Sequence, residues 1–273
     1  MESELPAASQ GSLRAARRLL RRKERESARR FLAEGRQAIS EALRRPRTVL
    51  GLIVADDGVD RHCDLLEIAS SAGVKTSVAP ARAVAELAGT VTPQGLIAIC
   101  HMLDVPTNEA LGGQPRLVVF CDQVRDPGNL GTVIRCADAF GADAVLISRN
   151  SVDLYNAKTV RATTGSLFHL PLAVGADLAE ATSLGRGSGL QVFGADTAAA
   201  CTINDLALSG ELAGPTMWVM GNEAWGLQPE HKALLDQLVA LPHYGQAESL
   251  NLSTAAAVFL YASATAQRRD KST

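Results

Sequence analysis

Residues 116–148 read RLVVFCDQVRDPGNLGTVIRCADAFGADAVLIS, and this stretch decides the fold. RLVVFCD is a near-continuous apolar run, the pattern of a strand buried on both faces of a parallel sheet. Beyond the loop QVRDPGN, Leu130, Val133, Ile134, Ala137 and Phe140 recur at i, i+3, i+4, i+7 and i+10. That spacing predicts a helix with one buried stripe. Gly141 stands where a left-handed residue closes such a helix, and 144–148 is the next apolar strand. Strand, crossover helix and strand predict an α/β fold around a mostly parallel sheet.

Working downstream, 191–194 and 218–221 read as strands, the second running into the glycine-bearing loop GNEAWGL. Residues 228–235 should be helical with Pro229 in the first turn, and 238–241 should be a short strand. The helix expected over 251–266 is apolar nearly all round, so the core or another subunit must bury it. Upstream, HMLDVPTNEALGGQP (101–115) holds two prolines and two adjacent glycines and reads as a linker, which parts the domains at 106–115. Before it, helical spacing over 31–45 stops at Pro46. Strands at 49–55, 74–78 and 96–100 then alternate with helices at 65–72 and 83–87. This predicts a smaller α/β domain over 31–105, followed by the larger one over 116–273.

Of 273 residues, 47% are apolar, 21% charged and 4% aromatic, and mean hydropathy is slightly positive. This excludes a disordered chain. No apolar run reaches the ~18 residues that span a bilayer, and the Arg-rich N-terminal region lacks a signal-peptide core. A soluble, cytoplasmic protein is expected. Cys63, Cys100, Cys121, Cys136 and Cys201 are odd in number and contain no CxxC, against a disulfide framework or a structural zinc site. The net charge of −2 conceals a segregation. Residues 11–47 hold 13 basic and 4 acidic groups (+9), and the rest hold 14 and 25 (−11). The cluster Arg14, Arg17, Arg18, Arg21, Arg22, Lys23, Arg25, Arg29 and Arg30 fits one helix on a flexible basic arm, residues 1–30. Its apolar stripe is too thin for a membrane-surface helix. It can be a solvated charged face, or it can grip a phosphate backbone through counterion release.

The usual catalytic motifs are missing. GRGSG (185–189) precedes a strand and is no dinucleotide fingerprint, and neither GxxxxGK[ST] nor G-x-S-x-G occurs. His62, His101, His169, His231 and His243 have no metal-ligand spacing. Three polar islands remain where strands end: 122–142, 220–227 and 241–253. Asn129 is placed to cap the first helix, and Ser249 or Asn251 to cap the last. With ~100° per residue, Arg135 lies about 160° from the apolar stripe and faces solvent, a ligand or a partner. Taken singly, these are loops with caps.

In order, DQVRDPGNLGTVIRCADAFGA, VMGNEAWGL and LPHYGQAESLNLSTAAAVFLY closely resemble motifs 1, 2 and 3 of the SpoU (TrmH-type) branch of the SPOUT RNA methyltransferases. LYNAKTVRATTGSLFHLPL (154–172) is similar to that family's connecting stretch. RFLAEGRQAISEAL and TPQGLIAI resemble the small substrate-binding domain of many relatives, itself similar to kink-turn-binding ribosomal proteins. The resemblance implies a C-terminal trefoil knot, a homodimer, and methyl transfer from S-adenosylmethionine to a ribose 2′-hydroxyl of RNA. It implies donor contacts at Met220, Gly221, Asn222, Leu241, His243 and Leu250, and catalysis by Asn129, Arg135, Glu223, Ser249 and Asn251. Relatives often read Ile-Pro-Met where this chain has Leu241-Pro242-His243. The sulfonium donor is already activated, so no metal is expected, nor is a DNA or membrane partner. An N-terminal domain similar to a ribosomal RNA-binding protein, preceded by the basic helix, favours 23S rRNA over tRNA as substrate, and the intact catalytic set argues against a silent RNA-binding or ribosome-assembly protein.

Overall fold

The computed structural model describes residues 5–90 and 92–269. Packing divides it into two compact units, one ending at Leu103 and taking in Asp153–His169, the other made of Asp104–Val152 and the chain from Leu170 onward.

In the first unit, Ser9 caps α1 (Gln10–Arg18) by accepting from the Ser12 N–H at 3.0 Å. Leu13, Ala16 and Leu19 form one stripe at three-residue spacing, and it is buried in a core with Leu32, Ile53, Val84 and Ile97. A turn through Leu19–Arg21 separates α1 from α2 (Arg22–Ala28), and Arg29 is left-handed at φ 50. Residues 10–30 are therefore two docked helices and the first residue of a strand, where one helix on a flexible arm was expected. The stripe that was too thin for a membrane suffices to seat α1 on a sheet.

A second departure follows at once. Arg30–Glu34 is strand β1, not the start of a helix, and only Arg36–Arg44 is helical (α3). Phe31 pairs with Cys100 and Ala33 with Ala98 in an antiparallel ladder, and Gly35 at φ 100 makes the turn into the helix. Tertiary pairing overrides a helix-like spacing here. Then come β2 (Val49–Ala55), α4 (Cys63–Ser71), β3 (Lys75–Ala79), α5 (Ala81–Ala88) and β4 (Leu96–His101). The sheet order is β1-β4-β2-β3, with β2 and β3 parallel and the other pairs antiparallel.

The second unit opens with α6 (Thr107–Ala110), inside the stretch read as a linker. Ala110 and Leu111 are buried in this unit's core, which is why those residues do not behave as a free connection. Next are β5 (Leu117–Cys121), α7 (Pro127–Ala139) and β6 (Ala144–Ser148). The chain then forms α8 (Ala157–Thr163), which packs within the first unit. There Tyr155 and Phe168 lie 4.7 and 6.2 Å from the Phe31 ring, and Arg161 donates to Glu34 Oε2 at 3.1 Å. Back in the second unit are β7 (Leu172–Ala176), α9 (Leu178–Gly187), β8 (Gln191–Ala195), β9 (Cys201–Thr202) and α10 (Ile203–Ser209). They are followed by β10 (Thr216–Met220), α11 (Pro229–Lys232), β11 (Gln237–Ala240) and α12 (Leu252–Arg269).

The second sheet runs β7-β6-β5-β10-β8-β11-β9, and every pairing is parallel. β6 and β7 lie to one side of β5, and β10, β8, β11 and β9 to the other. Such a reversal opens a crevice at the carboxyl ends of the strands. α12 seats on β10, where buried Trp218 donates from Nε1 to Ser263 Oγ at 2.9 Å and its ring lies 4.4 Å from that of Phe259, tilted by 34°. No described helix is long and apolar enough to cross a membrane.

Candidate active site

Three loops meet at the carboxyl edge of the second sheet. The first leaves β5 and enters α7. Asp126, not Asn129, caps α7: its carboxylate accepts from the Asn129 N–H at 2.8 Å, with Pro127 at the first helical position. Pro127 lacks an N–H, so the cap shifts one turn back, and Asn129 becomes the third helical residue with its carboxamide released. That carboxamide donates to Glu223 Oε1 at 3.1 Å and accepts from Asn251 Nδ2 at 3.0 Å. Asn251, in front of α12, accepts the Ser253 N–H at 2.9 Å and the Ser253 hydroxyl at 2.7 Å, as an N-cap does. One residue from each polar island thus joins a single chain, Glu223–Asn129–Asn251.

Glu223 anchors this chain. It also accepts from the backbone N–H groups of Arg125 and Asp126, both at 3.0 Å. Burial pushes its carboxyl upward. The hydrogen bonds from Asp126, Asn129 and Arg125 outweigh that and hold it below the usual glutamate range. An acidic carboxylate committed to three donors orients its neighbours and is a poor base. Arg135 is exposed on α7, two turns past Asn129, and away from that helix's buried residues. Ser249 is exposed in the third loop.

Beside the chain lies a cavity of about 410 Å³, within the ~300–1,000 Å³ range of small-molecule sites. Its lining includes Met220, Gly221, Asn222, Leu241, His243 and Leu250, together with Glu223 and Ser249. Asn129, Arg135 and Asn251 are not among the lining residues. The second loop folds back on itself, with Asn222 and Gly226 exchanging backbone hydrogen bonds at 3.0 and 2.9 Å. A Cβ on Gly221 would stand 2.5 Å from the Gly226 carbonyl carbon and 2.7 Å from the Leu227 nitrogen, so only glycine fits. Asp196, Thr197 and Lys232 also line the cavity, and sequence reading missed them. Burial raises the Asp196 carboxyl, but the Lys232 ammonium bonded to it brings it below the ordinary aspartate range. Their only sequence signal was position, Asp196 and Thr197 just after β8 and Lys232 at the end of α11. Buried Cys121 is no nucleophile: burial, with the Glu223 and Asp122 charges, pushes its thiol up to about 12.

The nine cations of the first unit are distributed differently. Arg17 pairs with Glu86 at 2.7 Å and Arg22 with Glu26 at 2.7 Å, and Arg18 donates to Glu24 at 2.7 Å. Arg25 is buried, donating to the Leu19 carbonyl at 2.8 Å and to the Asp153 carboxylate. Arg14, Arg21, Lys23, Arg29 and Arg30 are exposed.

A model of the SpoU rRNA Methylase family matches residues 116–261, and one of the MRM3-like substrate binding domain matches residues 11–98. The chain is 34% identical over 245 residues to the 23S rRNA (guanosine(2553)-2′-O)-methyltransferase RlmP of Bacillus subtilis, spanning 90% of this chain and 92% of that protein. An AdoMet-bound rRNA methyltransferase from Sinorhizobium meliloti shares its fold with TM-score 0.81, at 27% identity over 97% of each chain. The SpoU methyltransferase AviRb from Streptomyces viridochromogenes, in complex with AdoMet, gives TM-score 0.79 at 27% identity over 96% of this chain and 99% of that one.

Proposed function

The chain belongs to the SpoU rRNA methylase family, and from that premise we propose that it methylates a ribose 2′-hydroxyl of 23S rRNA with S-adenosylmethionine as donor. The observation that carries the reading is the Glu223–Asn129–Asn251 chain, which joins three distant loops at the wall of a cavity of donor size. Relatives named for 23S rRNA 2′-O-methylation favour that substrate over tRNA.

The cavity fits the donor. Met220, Gly221, Asn222, Leu241, His243 and Leu250 would hold it, and Gly221 leaves the folded-back loop free of side-chain obstruction. When bound, the donor supplies an electrophilic methyl on a sulfonium, which calls for neither a metal nor a covalent intermediate. The protein must then place the hydroxyl in line and help it lose its proton. Arg135 is not the base, because a guanidinium keeps its proton in proteins. It binds the neighbouring phosphate and lowers the hydroxyl pKa by its charge. Glu223 fixes the Asn129 carboxamide, and Asn129 fixes that of Asn251, so the polar face toward the substrate is set beforehand. With Glu223 occupied, the proton leaves through phosphate or water.

The first unit holds the RNA through its exposed cations. The enzyme works in the cytoplasm as a homodimer, a reading favoured by the exposed apolar side chains of Leu250, Val258 and Tyr261 on the third loop and α12. Light scattering should then give twice 28.7 kDa. To test the activity, ribose methylation is mapped by reverse-transcription stops on RNA from cells with and without the protein. One stop lost from 23S rRNA is expected, whereas loss confined to tRNA, or no loss, overturns the substrate.

A further inference from the structure

A second cavity, of about 270 Å³, opens at the carboxyl ends of β5, β6 and β7, on the other side of β5 from the donor cavity. Gln123, Arg149 and Asn150 line it, and among the described residues their side chains have no hydrogen-bond partner. Asp122 lines it too, 2% exposed, accepting from His231 Nδ1 at 2.5 Å. The wall is tied to the active site: the Gln123 carbonyl, on a residue held at φ 55, accepts from Asn222 Nδ2 at 2.7 Å.

We propose that this cavity receives one unpaired nucleobase of the RNA, from a nucleotide near the one whose ribose is methylated; the proposal rests on the RNA methyltransferase reading above. Two carboxamides and a guanidinium without protein partners offer donors and acceptors in the planar, paired arrangement that base edges present. A phosphate is disfavoured, because the Asp122 and Asp177 carboxylates border the same space. Sequence-specific RNA recognition works on splayed-out bases that are hydrogen-bonded at their edges and stacked on flat groups such as guanidinium. The cavity lies beside the loop that joins β5 to the Asn129 chain, so a base seated in it would fix the register of its neighbour at Arg135.

The test pairs a variant with a modified substrate. Arg149 and Asn150 are both exposed, so the double variant Arg149→Ala/Asn150→Ala should fold normally. It should raise KM for an RNA fragment on the order of tenfold, with kcat and donor affinity within about twofold. Fragments carrying one abasic nucleotide at each position around the target are then compared. With the natural protein one position should cost on the order of tenfold. With the double variant that position should cost nothing further, because the lost contact is the same one. An unchanged KM overturns the pocket. So does a raised KM with the abasic penalty intact, which would assign Arg149 to a backbone phosphate. If the natural protein methylates no RNA, the activity reading fails instead, and binding of the same fragments by the same two proteins still decides the pocket.

Discussion

On the basic helices α1 and α2 of the first unit, two ion pairs are local. Arg18 meets Glu24 six residues away, Arg22 meets Glu26 four residues away, and both pairs are largely exposed. In the second unit, the polar groups that matter meet across the chain: Asn129 reaches Glu223 over 94 residues and Asn251 over 122. Exposed pairs contribute ~0.2–1 kcal/mol and exchange readily for another anion. A hydrogen-bonded chain spanning three loops has no such freedom. A dense run of charge therefore marks a surface that can grip, while residues brought together from distant loops mark a place where geometry is held. Arg25 and Arg161 of the first unit also reach across the chain, to Asp153 over 128 residues and to Glu34 over 127, and Arg25, buried against its partner, is structural in consequence.

The sharpest way to break this contrast is Asn129→Ala. It removes the middle of the chain, and kcat should fall on the order of 10³-fold while the melting temperature stays close to that of the natural protein. A drop below tenfold would mean that the three loops hold their geometry without the chain. Next is Arg25→Ala, which leaves the Asp153 carboxylate unpaired. Denaturant unfolding should show a loss of about 3 kcal/mol, with the salt dependence of RNA binding unaltered. A changed salt slope with unchanged stability would place Arg25 on the RNA after all. Gly221→Ala forces a Cβ against the Gly226 and Leu227 backbone. Calorimetry should find donor binding weakened roughly 10–100-fold, and an affinity within twofold would remove Gly221 from the donor loop.

Smaller effects sharpen the comparison. Arg14, Arg21, Lys23 and Arg30 have no carboxylate partner among the described residues and are exposed. Changing all four to Gln should make the slope of log affinity against log salt shallower by roughly three units, and donor affinity should not move. Deleting residues 1–30 would not serve the same purpose, because it strips Leu13, Ala16 and Leu19 from a core. The smallest effect belongs to Glu223. Its carboxyl lies below its unfolded value, so its contribution is present in full above the ordinary glutamate pKa of ~4.3. That contribution is lost as pH falls through the depressed folded value. Glu223→Gln should therefore lower the unfolding free energy at pH 7, by no more than ~1 kcal/mol given the exposure of the group. The gap should close below about pH 4, and a gap that widens in acid would contradict the assigned sign.

The second sheet was largely legible from sequence, because strands buried on both faces announce themselves as apolar runs; 144–148 matches β6 residue for residue. The first unit was less so. Phe31 and Leu32 carry a helix-like spacing, and only pairing with Cys100 and Ile99, 67 or more residues away, makes them a strand. Within the site, the loop residues were found by motif order. The bonds between them were not, since nothing in a sequence shows that Pro127 would move the cap to Asp126 and free Asn129. Asp196 and Lys232 escaped because a lone Asp after a strand and a lone Lys at the end of a short helix are ordinary in any α/β fold. The two carboxamides and the guanidinium of the second cavity escaped for the same reason.

The most direct measurement incubates the purified protein with 23S rRNA fragments and isotope-labelled donor in the presence of a chelator, then digests the RNA to nucleosides for mass spectrometry. The expected label is a single 2′-O-methylnucleoside, formed by the natural protein and absent with Arg135→Ala, whose melting temperature and donor affinity match the natural ones. Label on a base, a requirement for metal, or near-normal turnover by Arg135→Ala would contradict the assignment of ribose methyl transfer to these three loops.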